Sequence, residues 1–218
     1  MRRYKAIIWD YNGTLLNDIE IGIESINAML IKRALPLLTS ESYREVFTFP
    51  VKDYYEKIGF DFQKEDWAIT AQEFITNYTK RLPQSDIFPE ARVLLDLFKQ
   101  QGKKQFILSA MEMNMLKDST QELNIQGFFN EISGINDIYA SSKIENGKNL
   151  FHKHQLKTED VCLFGDTTHD YEVAQSLGCQ CYLIATGHQS FEKLKATGCP
   201  NIINSLKDIH YRINNHFK

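Results

Sequence analysis

The sequence predicts an α/β protein, a doubly wound parallel sheet with an all-helical domain inserted near its start. Three observations carry this prediction. Short apolar runs, Ala6-Ile7-Ile8-Trp9 before Asp10, Lys104 to Leu108 before Ser109, and Val161 to Phe164 before Gly165-Asp166, are too brief for helices and rich in β-branched or aromatic residues. From Lys104 onward, strands of this kind alternate with helical patterns, which specifies parallel pairing. Between the first strand and that alternation, residues 17–85 carry helical periodicity alone.

Taken in order, Ala6 to Trp9 is a buried strand that delivers Asp10 to its C-terminal end, where open α/β sheets keep their chemistry. Asn17 or Asp18 is placed to cap a helix in which Ile19, Ile23, Ile26 and Leu30 recur, ending near Leu35-Pro36. Thr39 and Ser40 open a second helix through Tyr43 and Phe47. Pro50 starts a third through Tyr54 and Ile58, stopped by Gly59. Trp67, Ala71, Phe74, Tyr78 and Leu82 form one stripe of a longer helix that stops at Pro83. A helix from Pro89 to Gln101 returns the chain to the sheet.

Strand 104–109, a helix from Met111 to Leu123, a strand near 129–133 and a helix from Ile144 to His154 follow. Strand 160–165, helix Tyr171 to Leu177 closed by Gly178, strand 180–185 and a small strand at Ile202-Ile203 complete the prediction. Met111, Met113 and Met115 and the aromatics Tyr43, Phe47, Tyr54, Tyr55 and Trp67 are assigned to packing.

The chain has 218 residues and 43% hydrophobic content, enough for one good core and a smaller insert. A net charge of -3 argues against nucleic acid as a partner. No run approaches the 18 apolar residues of a membrane span, and the run behind the basic Met1 to Lys5 stops at Asp10, short of a signal-peptide core. A cytoplasmic protein without a membrane partner is expected. Cys162, Cys179, Cys181 and Cys199 lack Cys-x-x-Cys spacing and are expected to be reduced thiols. The sequence gives no reading of oligomeric state.

An Asp followed by Gly-Thr can act as a nucleophile toward phosphorus when a metal and cations neutralise the phosphate. The helpers such chemistry needs are present in order: Ser109 at the end of the second strand, Lys143 before a helix, and Asp166 with Asp170 behind the apolar run Val161 to Phe164. With these four pieces the chain resembles the haloacid dehalogenase-like hydrolases, in their phosphoglycolate-phosphatase-like branch, over nearly its whole length.

The resemblance implies a core of residues 1–16 and 86–218 and a helical cap, residues 17–85, that closes over the site and selects the substrate; a static helical layer is the alternative. It implies Asp10 as the nucleophile that becomes an aspartyl phosphate. Gly13, Thr14, Ser109, Ala110 and Lys143 would hold the phosphate, with Lys148 the rival of Lys143. Mg²⁺ would be bound by Asp10, Asp166, Asp170 and the backbone carbonyl of Asn12. The expected partner is a small phosphorylated metabolite, and Arg44 and Lys52 are placed to meet an anionic tail.

Asn12 departs from the pattern. Phosphatases of this family carry a second Asp there, which protonates the leaving alkoxide and then deprotonates water; an amide does neither. Losing such help costs about 10²- to 10⁴-fold. His169 and His188 are candidate substitutes for the missing acid. The leading expectation is a slow Mg²⁺-dependent phosphatase, and the alternative is a phospho-ligand-binding regulatory protein or phosphotransferase.

Overall fold

The computed structural model describes residues 1, 4–135 and 142–215. β1 (Ala6–Trp9) leads through β2 (Leu16–Asn17) into four helices, α1 (Ile19–Lys32), α2 (Ser40–Val46), α3 (Val51–Lys57) and α4 (Trp67–Arg81). The chain returns through β3 (Asp86–Ile87) and α5 (Pro89–Gln100) to β4 (Lys104–Glu112), α6 (Met113–Glu122) and β5 (Glu131–Ile135). Then come α7 (Ser142–His154), β6 (Val161–Gly165), α8 (Thr168–Leu177), β7 (Gln180–Ile184), α9 (Phe191–Ala196), β8 (Ile202–Ile203) and α10 (Leu206–Asn215).

Six of the strands form one parallel sheet in the order β5-β4-β1-β6-β7-β8. Alternation along each strand sends side chains to two separate cores. Ile7, Trp9, Ile107, Cys162 and Phe164 face α5, α6 and α10. Ala6, Ile8, Phe106, Leu108, Leu163 and Leu183 face α7, α8 and α9. Burying both faces explains why the strands read as continuous apolar runs. Trp9 stacks on Phe164 with ring centroids 4.7 Å apart, and its indole N–H donates to Gln105 Oε1 at 3.1 Å. Gln105 in turn donates to the Leu95 carbonyl, so this buried amide is satisfied.

The helices of residues 19–81 have a core of their own, in which Ile19, Ile23, Ile26 and Leu30 meet Tyr43, Tyr54, Tyr55 and Phe60. The predicted stripe of α1 is therefore the buried one. α1 ends at Lys32, ahead of the predicted stop, and α2 opens with a capping box between Thr39 and Ser42.

Three differences from the sequence reading stand out. β4 continues to Glu112, with an irregular register between Leu108 and Glu112, so α6 starts at Met113 and Met111 belongs to the strand. The cause is Glu112, whose carboxylate accepts the N–H groups of Asn114 and Met115 and so caps the helix there. The ribbon of β2 and β3 and the helices α9 and α10 were not anticipated. Asp18 stands at the N-cap of α1 but makes no capping bond.

Candidate active site

β1 sits where the strand order reverses direction, flanked by β4 and β6, and the crevice beyond its C-terminal end is the site. Trp9 is in register with Phe164, and the Asp10 N–H donates to the Phe164 carbonyl at 2.8 Å, which sets Asp10 beside the end of β6. Asp166 follows β6 directly and Asp170 lies in the first turn of α8. Carboxylate oxygens of Asp10, Asp166 and Asp170 lie within 4.8 Å of one another, and all three residues are buried.

Lys143, in the first turn of α7, reaches between two of them. Its Nζ is 2.6 Å from Asp10 Oδ1 and 2.7 Å from Asp170 Oδ1. Lys148, the rival lysine, instead pairs with Glu145 on the surface. Ala140 and Ser141, just before α7, lie outside the described residues.

Local structure fixes each acid. Asp170 closes the capping box of α8: its Oδ2 accepts the Thr167 hydroxyl at 2.6 Å and the Thr167 N–H at 3.0 Å. Asp166 accepts the Thr14 hydroxyl on one oxygen at 2.8 Å and the His188 N–H on the other at 2.6 Å. Thr14 thus braces a carboxylate rather than facing an open phosphate pocket. Gly13 has φ +70°, and a Cβ there would come within 2.3 Å of Asp166 and 2.6 Å of the His188 ring, so only glycine fits. Ser109 and Ala110 lie two and three residues beyond Ile107, the partner of Trp9, and Ser109 Oγ accepts the Met111 N–H.

Asn12 ties its amide nitrogen to Asp18 and Tyr78. Its Nδ2 donates to Asp18 Oδ2 at 2.8 Å and meets Tyr78 Oη at 2.8 Å. Asp18 also accepts the Gly13 N–H at 2.8 Å and the Tyr78 hydroxyl at 2.6 Å, and its Oδ1 lies 3.4 Å from His188 Nε2. On its far side the His188 ring bonds Tyr43 Oη through Nδ1 at 2.9 Å. Asp18, Tyr43 and Tyr78 are site residues that sequence reasoning missed. An Asp before a helix reads as a cap, and tyrosines on an apolar stripe read as core.

α2 is held against the loop after β7. Arg44 Nη2 donates to the Thr186 carbonyl, and Gln189 and Lys193 both donate to the Phe47 carbonyl. Lys52 rests over the Phe62 ring instead of facing the acids. His169 bonds Glu172 and packs on Phe49 with ring centroids 5.1 Å apart.

Electrostatics follow from burial. Burial pushes Asp10 well above the usual carboxylate range despite Lys143. It likewise pushes Asp166 up to about 6. For Asp170 and Asp18 burial acts the same way but is outweighed, by Lys143 and by His188 respectively, and both are held low. Burial would discharge His188, yet Asp18 and then Asp166 raise it to about 9. Among the described residues, four buried carboxylates, Asp10, Asp18, Asp166 and Asp170, thus face two buried cations, Lys143 and His188. When all four are ionised the carboxylates outnumber the two cations by two, and that excess with the all-oxygen donor set fits a hard divalent cation.

The family model described as haloacid dehalogenase-like hydrolase matches residues 7–184. The chain belongs to this family of hydrolases. Among curated relatives, it is similar to a phosphoglycolate phosphatase of Vibrio parahaemolyticus, 20% identical with 94% of each chain covered. It is likewise similar to one of Chromobacterium violaceum, 20% identical with 96% of this chain and 97% of the other covered. Among solved structures, a haloacid dehalogenase-like family protein of Streptococcus pneumoniae aligns with TM-score 0.81 and 20% identity over 98% of this chain and 100% of its own. A predicted phosphatase of Clostridium acetobutylicum aligns with TM-score 0.78 and 20% identity over 97% and 99%. These matches span the sheet and the helical insertion of this chain together. No helix among the described residues is long and apolar enough to cross a membrane, and among the described residues no disulfide joins the four cysteines.

Proposed function

We propose that this hydrolase is a cytoplasmic Mg²⁺-dependent phosphatase that passes the phosphoryl group of a small metabolite through Asp10 to water. The observation that carries the reading is the Lys143 ammonium set between Asp10 and Asp170 with Asp166 beside them. In this reading Asp10 attacks phosphorus, Lys143 steadies the transferring oxygens, and Ser109, Ala110 and Gly13 border the phosphate. Asp10, Asp166 and Asp170 hold the cation, with the Asn12 carbonyl as a further ligand. Bound Mg²⁺ supplies the neutralisation that lets an anionic nucleophile meet an anionic phosphate.

Residues 17–85 serve as a cap whose α2 shuts against the loop after β7, and opening there admits substrate. Phosphoglycolate is the substrate suggested by the relatives' names, which is analogy across a fold.

The test is phosphate release from an aryl phosphate with MgCl₂, in wild type and Asp10→Asn. Repeated turnover in wild type that drops at least about 10³-fold in the variant supports the reading. Binding of phosphate mimics without turnover would replace it with a phospho-ligand-binding role.

A further inference from the structure

Resting on the phosphatase reading, we propose that the site is built for phosphoric anhydrides, compounds whose bridging oxygen departs as a carboxylate or a phosphate and needs no proton. The carrying observation is that Asn12, Tyr78, Asp18, His188 and Lys143, around Asp10, are each held by other side chains, while the Ser109 hydroxyl, which accepts the Met111 N–H, is too weak an acid to protonate an alkoxide near neutral pH. Asn12 has its amide nitrogen tied to Asp18 and Tyr78, which leaves its Oδ1, an atom that only accepts. Tyr78 donates to Asp18 at 2.6 Å. Asp18 receives Asn12, Gly13 and Tyr78 and faces His188, and has no proton to give. His188 has one ring nitrogen on Tyr43 and the other facing Asp18, so neither is aimed at a leaving group. The Lys143 ammonium is clamped by Asp10 and Asp170. His169 keeps an unpartnered Nε2 but is folded under Phe49.

An alkyl phosphate cleaved here would have to expel a bare alkoxide. An anhydride does not. A carboxylate oxygen of Asp10 bonds to phosphorus, and the bond from phosphorus to the bridging oxygen breaks with its electron pair going to that oxygen. The oxygen leaves as an anion without a proton. Water then bonds to phosphorus, the bond to Asp10 breaks with its pair returning to the carboxylate, and both hydrogens of the water leave on the phosphate as H₂PO₄⁻. Neither step draws a proton from the protein. The same pinning of Asn12 makes Asp18 and Tyr78 positioning residues, since they hold the amide nitrogen of residue 12.

The experiment is a leaving-group series with the full chain and MgCl₂: acetyl phosphate and pyrophosphate as acyl and phosphate anhydrides, 4-nitrophenyl and phenyl phosphate, and phosphoglycolate and glycerol 3-phosphate as alkyl esters. The proposal expects kcat/KM to fall steeply with leaving-group basicity, the alkyl esters lying at least about 10²- to 10⁴-fold below the anhydrides. The better of the two anhydrides identifies the acyl or the phosphate source. Alkyl esters turned over within tenfold of the anhydrides would overturn the proposal and leave the phosphatase standing. No turnover of any compound would remove the phosphatase reading and this one with it.

Two variants sharpen the readout. His169→Gln should leave the slope unchanged, and a steeper slope would reveal a hidden acid there and overturn the proposal. Asn12→Asp should flatten the slope by raising the alkyl esters. An unchanged slope in a folded Asn12→Asp protein would show that position 12 does not set leaving-group choice.

Discussion

Asp18 is a buried carboxylate whose partners come from the loop after β1, from α4 and from the loop after β7, so a single side chain joins three parts of the chain. Its pairing with His188 has a pH signature. The folded pKa of about 9 lies above the ordinary value near 6.5, so the stabilisation is complete below pH ~6.5 and is lost as pH rises through about 9. It amounts to about 3 kcal/mol at most. Cys199, lowered to about 7 by its bond with Cys181, contributes with the opposite sign over the same range. The readout is therefore a difference: urea midpoints of the metal-free wild type should fall relative to His188→Gln between pH 6.5 and 9. Asp10, Lys143, Asp166 and Asp170 were legible in the sequence because each ends a strand or opens a helix in a recognisable order. Asp18, Tyr43 and Tyr78 were not, because their roles exist only once the insertion folds back on the loop after β1.

Helix α8 shows how an element and a site share a residue. Asp170 caps the helix with one oxygen and holds Lys143 with the other. Thr167→Ala removes the reciprocal partner and should cost about 1 kcal/mol. At this chain length that lowers the melting temperature by about 2–4 °C, read by calorimetry, and the freed Asp170 should also weaken the stabilisation by Mg²⁺. The main strands and helices were readable from apolar runs, glycine stops and prolines. The end of β4 was not, since Ala110 to Met113 carries no turn residue and glutamate is an uncommon cap. Two-residue strands such as β2 and β3 have no period to detect, and α9 spans only six residues.

Across the whole molecule, the proposed divalent cation would relieve the crowding of buried carboxylates around Asp10. Mg²⁺ at about 100 times its dissociation constant should stabilise the fold by about 2.7 kcal/mol. That raises the melting temperature by about 5–10 °C, and Asp166→Asn should abolish the shift. Around this site the chain is closed in an unusual way. Leu16 pairs with Ile87 and Asn17 with Asp86, so the whole helical excursion departs and returns at one crossing point. The strands of the main sheet all lie outside the segment between those residues, so a change in its length falls outside their order and register. The excursion is thus placed to be exchanged as a cassette. Tyr43 and Tyr78 travel with it, so each exchange also rewires the residues that set how Asn12 and His188 are held.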